Sequence, residues 1–570
     1  MDQHPGTPTS APAATAATAA TAATAATATR PRLADLVIRA GAIYSMASDR
    51  AMYRAVALRD EWIVAVSSDP HGLDDLISSG ARVLDDSGLT LLPALYDTHN
   101  HLLEAARNFT MVPVDQAHSI AEFLDLILQR AAQTPAGQWI RTTNAWNEAN
   151  LAERRLPTAA ELDSATSQHP VLVRRGGHSG VANSLALQQA GITRDTPNPP
   201  GGTYGRLPDG SLSGGLEGGA VYVVAGRIPP ASFEEQVAGL RQAGQVFAAL
   251  GLGAVRDPLV QRDELLLYQA AWERGQLSVR CRPMVVVTPG GALADRIALV
   301  EGLGVRSGFG DDWLRLWGLK FVMDGGVEGA ALDQPFTAGP PNAGHLNWDT
   351  DEMVAVANVA MRRGWRIGTH CVGDRATRAV LDVYERVLAA NPDLPPGTLV
   401  LEHAILANAE QRARAIRLRI PVTVQQPLLY AQGAAMLKLW GPERAQAAMP
   451  VRAWLNEGAA LSAGFDYPAA GYDAMRSIWG LVTRGTEAAG VLGPDQVIDQ
   501  YTAFWLYTAA GARLGGEDHL RGTLAPRRLA DLVAFHTDPI TCPVDGLLPL
   551  RPAFTLVGGR AVFDPERRLG

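Results

Sequence analysis

Residues 91–101 read LLPALYDTHNH, an apolar run that ends in two histidines separated by one residue. In an extended backbone alternate side chains point to the same face, so His99 and His101 would project together from the end of a buried strand. Two imidazoles placed in this way can be ligands of one metal ion. A His-x-His pair also arises by chance, so its meaning depends on the rest of the chain.

The composition is that of a globular enzyme. Hydrophobic residues make up 47% of the 570 residues, charged residues 19%, and the formal net charge is −8. This balance argues against a nucleic-acid partner, because no basic excess is available to neutralise phosphates. The three cysteines, Cys281, Cys371 and Cys542, lie far apart, which fits neither a disulfide framework nor a zinc-cysteine site and favours a reducing, cytoplasmic compartment.

Neither a secretory signal nor a membrane span is predicted. Residues 1–30 are rich in Ala and Thr and lack the apolar centre and basic start of a signal peptide, so we expect a disordered tail. No later run reaches the roughly 18 uninterrupted apolar residues of a spanning helix.

The pattern of short segments predicts the domain organisation. Apolar stretches broken by Gly, Asp and Ser fill residues 31–90 and return in residues 520–570, so the two ends are predicted to form one discontinuous β-sandwich domain. Between them, residues 91–519 alternate strand-like and helix-like runs, which predicts an α/β fold with a TIM-type (β/α)8 barrel. Residues from about 103 to 228 are too many for a βα connection and predict an insertion domain over the barrel mouth.

Residues with metal-binding or catalytic chemistry recur at the ends of the predicted barrel strands, where the active site of such a barrel lies. They are His99, His101, Lys320, His370, His403 and Asp466. Imidazole and carboxylate together suit zinc or a similar divalent ion. Each residue also has a structural alternative: Lys320 could pair with Asp324, and His370 or His403 could be core histidines. Their occurrence in this order favours a metal site.

Lys320 requires a further explanation. A buried ammonium group close to metal ions is unfavourable, because both desolvation and the neighbouring positive charge oppose it. Carboxylation by carbon dioxide would remove the charge conflict and give an anionic ligand able to bridge two metal ions.

The ordered motifs carry a family resemblance. LLPALYDTHNH, KFVMDGG, THCVGDRAT, LEHA and AGFDYP, together with HSGVANSLAL, GGLEGGA, GAVRDP, VQQPLL and GTLAPRRLADLVAF, span residues from about 33 to 565. This set resembles the amidohydrolase superfamily, and within it the YtcJ-like branch, which includes N-substituted formamide deformylase. Two positions depart from the pattern: Arg527 stands where the closing turn usually has Gly, and Gly326 replaces the commoner Ser.

The resemblance implies roles for individual residues. His99 and His101 would bind one metal, and Lys320, if carboxylated, would bridge to a second held by His370 and His403; the family works with one or two ions. Asp466 would contact the metal site and act as the general base, with His403 and His178 as further catalytic groups. The residues implied on the substrate side are His178, Asn183, Glu217 and Asp324, although His178 could also be an ordinary loop histidine.

The predicted reaction is hydrolysis of a C–N bond. A metal ion makes hydroxide available near neutral pH, and this hydroxide would attack an amide or formamide-type carbonyl of a small, apolar or aromatic substrate. The alternative is other metal-dependent chemistry on the same scaffold, as in a decarboxylase, lactonase or C–C bond lyase. A non-catalytic barrel is disfavoured because all six site residues are present. A serine hydrolase is excluded by the lack of a G-x-S-x-G turn, and dinucleotide binding by the context of the Gly-rich stretches. The predicted partner is the substrate, with a homodimer as a further possibility.

Overall fold

The segment at residues 91–101 divides between two sheets. The computed structural model describes residues 33–144, 146, 148, 151–175, 179–339 and 341–569. In it the long strand that contains Leu91 and Leu92 ends at Pro93, and a new strand begins at Leu95. The first strand belongs to a sheet formed by both ends of the chain, and the second belongs to the barrel. His99 and His101 follow the barrel strand directly.

The strands and helices of the described residues alternate over most of the chain. The strands are β1 (Ala34–Tyr44), β2 (Met52–Arg59), β3 (Trp62–Ser67), β4 (Ile77–Pro93), β5 (Leu95–Asp97), β6 (Ile140–Arg141), β7 (Val171–Arg175), β8 (Ser179–Ala182), β9 (Gly202–Arg206), β10 (Leu212–Gly218), β11 (Leu252–Val260), β12 (Arg280–Val286), β13 (Gly318–Val322), β14 (Ile367–Cys371), β15 (Leu399–His403), β16 (Val422–Val424), β17 (Leu461–Ala463), β18 (Leu532–Phe535), β19 (Phe554–Val557) and β20 (Arg560–Phe563). The helices are α1 (Leu102–Phe109), α2 (Ile120–Ala131), α3 (Ala159–Ala165), α4 (Ser184–Gln189), α5 (Gly219–Ala225), α6 (Phe233–Ala249), α7 (Leu265–Glu273), α8 (Leu293–Gly302), α9 (Thr350–Arg362), α10 (Asp374–Ala390), α11 (Ala409–Arg417), α12 (Gln426–Trp440), α13 (Pro442–Ala447), α14 (Val451–Asn456), α15 (Ala474–Thr483), α16 (Gln500–Leu506) and α17 (Ala509–Gly515).

Eight parallel strands form the barrel, in the order β5-β11-β12-β13-β14-β15-β16-β17. The residues of β14 and β15 are almost all buried, as expected for parallel strands covered on both faces. The two end strands meet where the backbone N–H of Thr98 donates to the carbonyl of Ala463 at 3.2 Å. The predicted fold class is therefore confirmed.

Two further sheets accompany the barrel. Seven strands in the order β20-β19-β18-β4-β1-β2-β3 form one sheet from both ends of the chain, with apolar clusters on both of its faces. A five-stranded sheet, β6-β7-β8-β10-β9, lies within the long connection between β5 and β11. The domain boundaries stay a prediction, and residues 1–30 lie outside the described part. None of the described helices is long and apolar enough to cross a membrane.

Candidate metal centre

The six residues predicted as a metal site all lie at the C-terminal ends of barrel strands. His370 and His403 are at the ends of β14 and β15, and Lys320 is in β13. His99 and His101 follow β5, and Asp466 follows β17. His99, His403, Lys320 and Asp466 are at most 6% exposed. The barrel thus brings together side chains that come from up to 367 positions apart in the sequence.

Three of these residues can share one metal ion. His99, His403 and Asp466 each offer a ligand atom, and these atoms all lie within 4.8 Å of one another. The Nε2 atom of His99 lies 3.5 Å from Oδ1 of Asp466, and the rings of His99 and His403 are 4.5 Å apart between centroids. Two imidazoles and a carboxylate are a donor set that zinc accepts. The residues present therefore fit a divalent metal.

His101 joins this cluster through Asp466. Its Nε2 atom lies 2.9 Å from Oδ1 of Asp466, and its Nδ1 atom lies 3.9 Å from a carboxylate oxygen of Asp257. Burial lowers the pKa of His101, but the two carboxylates outweigh burial and raise the pKa overall. Asp466 is consequently the residue that connects the first histidine pair with His403.

His370 and Lys320 extend the cluster on the side of β13 and β14. The ring of His370 lies 4.5 Å from that of His403, and its Nε2 atom is 3.1 Å from the carbonyl oxygen of Gly325. Burial, with the charge of Lys320 as a second cause, lowers the pKa of His370 to about 4. Burial also lowers the pKa of Lys320 to about 8. His370 is therefore neutral at neutral pH, as metal binding requires, and the neutral amine that carboxylation of Lys320 requires is easier to form than in an exposed lysine.

Two residues of the cluster have an uncommon backbone conformation. His403 has φ 72° and Asp466 has φ 60°, and Ala404, which follows His403, has φ 45°. Residues other than glycine rarely adopt this left-handed region, and when they do the cost is about 1–3 kcal/mol each. Such strain concentrates where a side chain must be aimed at a functional site, and here it affects two of the three residues that can share an ion.

Two charged residues next to the cluster, Glu402 and Arg256, are not predicted from the sequence. The Nδ1 atom of His99 lies 2.5 Å from Oε2 of Glu402, and Nη2 of Arg256 donates to both carboxylate oxygens at 2.8 and 2.7 Å. Both residues are fully buried. With its Nδ1 atom held by Glu402, His99 presents Nε2 to the metal site. A charged residue within each of the apolar runs VLEHA and GAVRDP is the signal that could have identified this pair.

Asp97 and Gln425 also orient the cluster. Asp97 accepts hydrogen bonds from the backbone N–H groups of His99 and Phe465, both at 3.1 Å, and so fixes the chain just before His99 and just before Asp466. Burial raises the pKa of Asp97 well above its usual range. The Oε1 atom of Gln425 lies 2.6 Å from Nδ1 of His403.

The four residues predicted on the substrate side lie in different surroundings. Asp324 accepts three backbone hydrogen bonds, from Ala331, Val372 and Gly373, and burial raises its pKa to about 7. Asn183 accepts from Val171 and Ala186 and caps α4. These contacts tie loops together and leave the substrate role of both residues a prediction.

Glu217 and His178 are the other two. Glu217 is exposed in β10 and accepts a hydrogen bond from the hydroxyl of Ser179 at 3.0 Å. His178 lies outside the described residues. The roles of both residues stay predictions as well.

Comparison with known proteins agrees with this geometry. The sequence matches the amidohydrolase family over residues 82–563, which is most of the chain. The chain belongs to the amidohydrolase family. This amidohydrolase is therefore a metal-dependent hydrolase that acts on carbon–nitrogen bonds other than peptide bonds, as the sequence predicted.

Several relatives align over nearly their whole length. The amidohydrolase is 28% identical over 551 residues to N-substituted formamide deformylase of Arthrobacter pascens, covering 93% of this chain and 98% of that protein. It is 24% identical over 535 residues to the putative amidohydrolase YtcJ of Bacillus subtilis, covering 92% and 98%. Its fold is similar to that of a metal-dependent hydrolase from Pyrococcus horikoshii, with a TM-score of 0.72, 22% identity and coverage of 90% of this chain and 99% of that one.

Proposed function

We propose that this amidohydrolase uses zinc to hydrolyse the C–N bond of a small amide or formamide-type substrate with an apolar or aromatic substituent. The observation that carries the proposal is the convergence of His99, His403 and Asp466, whose ligand atoms lie within 4.8 Å of one another at the active-site end of the barrel. The similarity to N-substituted formamide deformylase supports the substrate class.

The metal would be held by the histidines and Asp466, with Lys320 as a further ligand after carboxylation. A divalent ion in this position supplies Lewis acidity, which polarises a carbonyl oxygen and makes hydroxide available near neutral pH. His99, His370 and His403 are suited to bind it because burial lowers the pKa of each and keeps the rings neutral. The division of the ligands between one and two ions stays open in this proposal.

Asp466 is the proposed general base. Its Oδ1 atom is occupied by His101 at 2.9 Å, whereas Oδ2 has His403 as its neighbour at 3.9 Å, beyond hydrogen-bond distance. Oδ2 can therefore take a proton from the attacking water and return it to the leaving nitrogen. His101 would hold the carboxylate in place.

An aromatic cluster next to Asp466 supports the apolar substrate. Tyr467 follows Asp466 directly, and its ring lies 5.6 Å from Phe109 and 4.8 Å from Tyr472. All three residues line a cavity of about 950 Å³. Aromatic walls of this kind bind the apolar part of a ligand, while a few polar groups fix its orientation.

The proposal is tested by assaying the zinc-loaded enzyme on N-formyl, N-acetyl and N-aryl amides and measuring the amine released. Asp466→Asn should lower kcat by about 100- to 10,000-fold even when assayed at saturating zinc, where the loss of one metal ligand is compensated. His99→Ala should lose zinc by elemental analysis, and Asp263→Asn, at an exposed position, serves as the control. Unchanged turnover in Asp466→Asn would refute the assigned base, and release of carbon dioxide instead of amine would refute amide hydrolysis.

A further inference from the structure

A second large cavity lies at the opposite end of the barrel from the metal cluster. Its volume is about 780 Å³, within the range of small-molecule sites. The residues that line it come immediately before barrel strands: Trp317 before β13, Arg366 before β14, Thr398 before β15, Pro421 before β16 and Ala460 before β17. The cavity is therefore formed by the N-terminal ends of the strands, and the metal site by their C-terminal ends.

The lining of this cavity carries an excess of positive charge. Five arginines line it together with a single carboxylate, that of Glu517. Arg282 donates to Glu517 at 2.7 Å, and Arg315 is paired with Asp312 at 2.7 Å. The charges of these two arginines are therefore balanced by carboxylates of the protein. The positive charge of the wall comes from the other three arginines, Arg366, Arg419 and Arg513.

Arg366 is held without a carboxylate partner among the described residues. Its guanidinium donates to the backbone carbonyls of Gly397, Leu514 and Gly515 at 2.6 to 3.2 Å and stacks on the ring of Trp317 at 4.0 Å. Burial lowers its pKa to about 10. Carbonyl oxygens orient this cation but do not cancel its charge, so the wall of the cavity stays positive.

Arg419 and Arg513 add two cations on the solvent side. Arg419 is exposed and makes no ion pair with any described residue, and the nearest acidic atom to Arg513, in Asp518, is 4.0 Å away. The side chain of Arg513 is 61% exposed and lies over Trp505, 5.9 Å from the ring centroid. Both guanidinium groups are thus able to bind a ligand carboxylate in the paired geometry that arginine favours.

The rest of the cavity wall is apolar and aromatic. Trp365 and Trp505 line it with Leu394 and Ile420. The indole N–H groups of Trp317 and Trp365 are buried and have no hydrogen-bond partner among the described residues. A surface that combines apolar walls with uncompensated cations is complementary to an amphipathic anion.

We propose that this cavity binds a small organic anion that has an aromatic or branched aliphatic body and a carboxylate head. The body would lie against Trp505 and the apolar wall, and the carboxylate would face Arg419 and Arg513. The site is separate from the metal cluster and does not depend on which amide the enzyme hydrolyses.

The probe is 3-(4-bromophenyl)propionate, titrated into the zinc-loaded enzyme by calorimetry, with the neutral alcohol 3-(4-bromophenyl)propan-1-ol as its matched control. We expect the carboxylate to bind at least about tenfold more tightly than the alcohol, since hydrogen bonds between charged groups are stronger than those between neutral groups. The double variant Arg419→Glu/Arg513→Glu should bind the carboxylate at least about tenfold more weakly than the wild type. Arg452→Glu, a charge reversal at an exposed arginine outside the cavity, should leave the affinity for the carboxylate unchanged.

The position of the probe is tested separately. Crystals soaked with the brominated carboxylate should show anomalous bromine density beside Trp505, and Ala460→Phe, which fills the cavity from an exposed position, should abolish binding while amide hydrolysis persists. Equal affinity for acid and alcohol, or affinity unaffected by the double charge reversal, would overturn the proposal. Bromine density found solely at the metal cluster would overturn it too.

Discussion

At the scale of single residues, Glu402 connects the metal cluster to the interior of the barrel. One of its carboxylate oxygens lies 2.5 Å from His99 Nδ1, and both accept from Arg256. Arg256 in turn donates to the carbonyl of Thr98 at 2.6 Å and stacks on Trp317 at 4.4 Å. The orientation of His99 therefore depends on a buried ion pair rather than on the histidine's own strand.

The substitution Glu402→Gln tests this dependence. It leaves Arg256 buried without its counter-charge, so we expect a loss of about 3–5 kcal/mol in the free energy of unfolding. We also expect zinc affinity to fall by about 10- to 100-fold, because the carboxylate that orients the His99 ring is replaced by an uncharged amide, a weaker acceptor. Urea unfolding and zinc titration measure the two effects.

The matched control is Glu457→Gln, which removes a carboxylate from the more exposed pair with Arg412. For this control we expect the free energy of unfolding to fall by at most about 1 kcal/mol and the zinc affinity to stay unchanged. If Glu402→Gln behaved like this control, Glu402 would have no positioning role.

The sequence identified the residues that carry the chemistry but not the ones that orient them. Histidine, lysine and aspartate at strand ends are conspicuous because each follows an apolar run. Glu402 occupies the same kind of position, beside His403, yet its function comes from contacts with His99 and Arg256 on other strands. No spacing rule within one strand reports such contacts.

Arg527 is a residue whose departure from the family pattern is visible in the sequence and whose backbone conformation is visible only in the structure. The sequence marks it as a departure from a glycine, and the structure gives it φ 69°, a conformation that glycine adopts most easily.

At the scale of elements, the barrel closes where the segment after β17 passes the end of β5. Gly464 lies at this crossing, and a Cβ atom there would come within 2.6 Å of the backbone nitrogen of His99 and 2.7 Å of a carboxylate oxygen of Asp97. A side chain does not fit, so the close approach requires glycine. The approach places Asp466 beside the two histidines that follow β5.

Gly464→Ala should therefore separate the two segments. We expect about 1–3 kcal/mol of destabilisation from overpacking, together with reduced zinc content, because His99 and Asp466 move apart. Thermal unfolding and elemental analysis check both parts. The control is Gly471→Ala in the same loop region, where the added Cβ meets nothing within 4 Å. Normal zinc content in Gly464→Ala would contradict the explanation.

The barrel strands are the elements that the sequence predicts best. The runs VRCRPMVVV, WRIGTHCVGD and TLVLEHAIL contain the observed strands β12, β14 and β15, and GAVRDP lies within β11. Their apolar, β-branched composition is characteristic of strands buried on both faces. The break at Ala94 within LLPALYDTHNH is not predicted from the sequence. The chain leaves the seven-stranded sheet at this point and enters the barrel, and the residues on both sides of the break are equally apolar.

At the scale of the whole molecule, Asp531 connects the seven-stranded sheet to the barrel. It precedes β18, and its carboxylate accepts two hydrogen bonds from Arg280 of β12, at 2.9 and 2.8 Å, and one from the backbone of Gly558 at 2.7 Å. Burial alone would raise the pKa of Asp531, but Arg280 and Arg521 outweigh it and lower the pKa. The ionised carboxylate thus stabilises the junction.

The sign of this shift predicts a pH dependence. Because the folded pKa lies below the unfolded value of about 3.9, the stabilisation is fully present above that value and is lost as the pH falls through the folded pKa. Asp531→Asn should lower the free energy of unfolding by about 3–5 kcal/mol at pH 7. The difference in unfolding free energy between this variant and the wild type should become smaller below about pH 4.

Urea unfolding at pH 7, 5 and 3 measures this dependence. Asp85→Asn, which removes the more exposed partner of Arg39, should cost at most about 1 kcal/mol at pH 7. A difference between Asp531→Asn and the wild type that stays constant with pH would contradict the assignment.

The sequence by itself determined the barrel, its family and the six residues at its strand ends, because apolar periodicity and motifs are properties of residues that are close together in the chain. The tertiary structure decided how those residues group. His99 groups with His403 and Asp466, with ligand atoms within 4.8 Å of one another, and it is oriented by Glu402, which is 303 positions away. The arginine-lined cavity at the other end is likewise formed by six separate segments of the chain together with Arg282. Such contacts depend on strand order and side-chain direction in the closed barrel, and neither follows from periodicity alone.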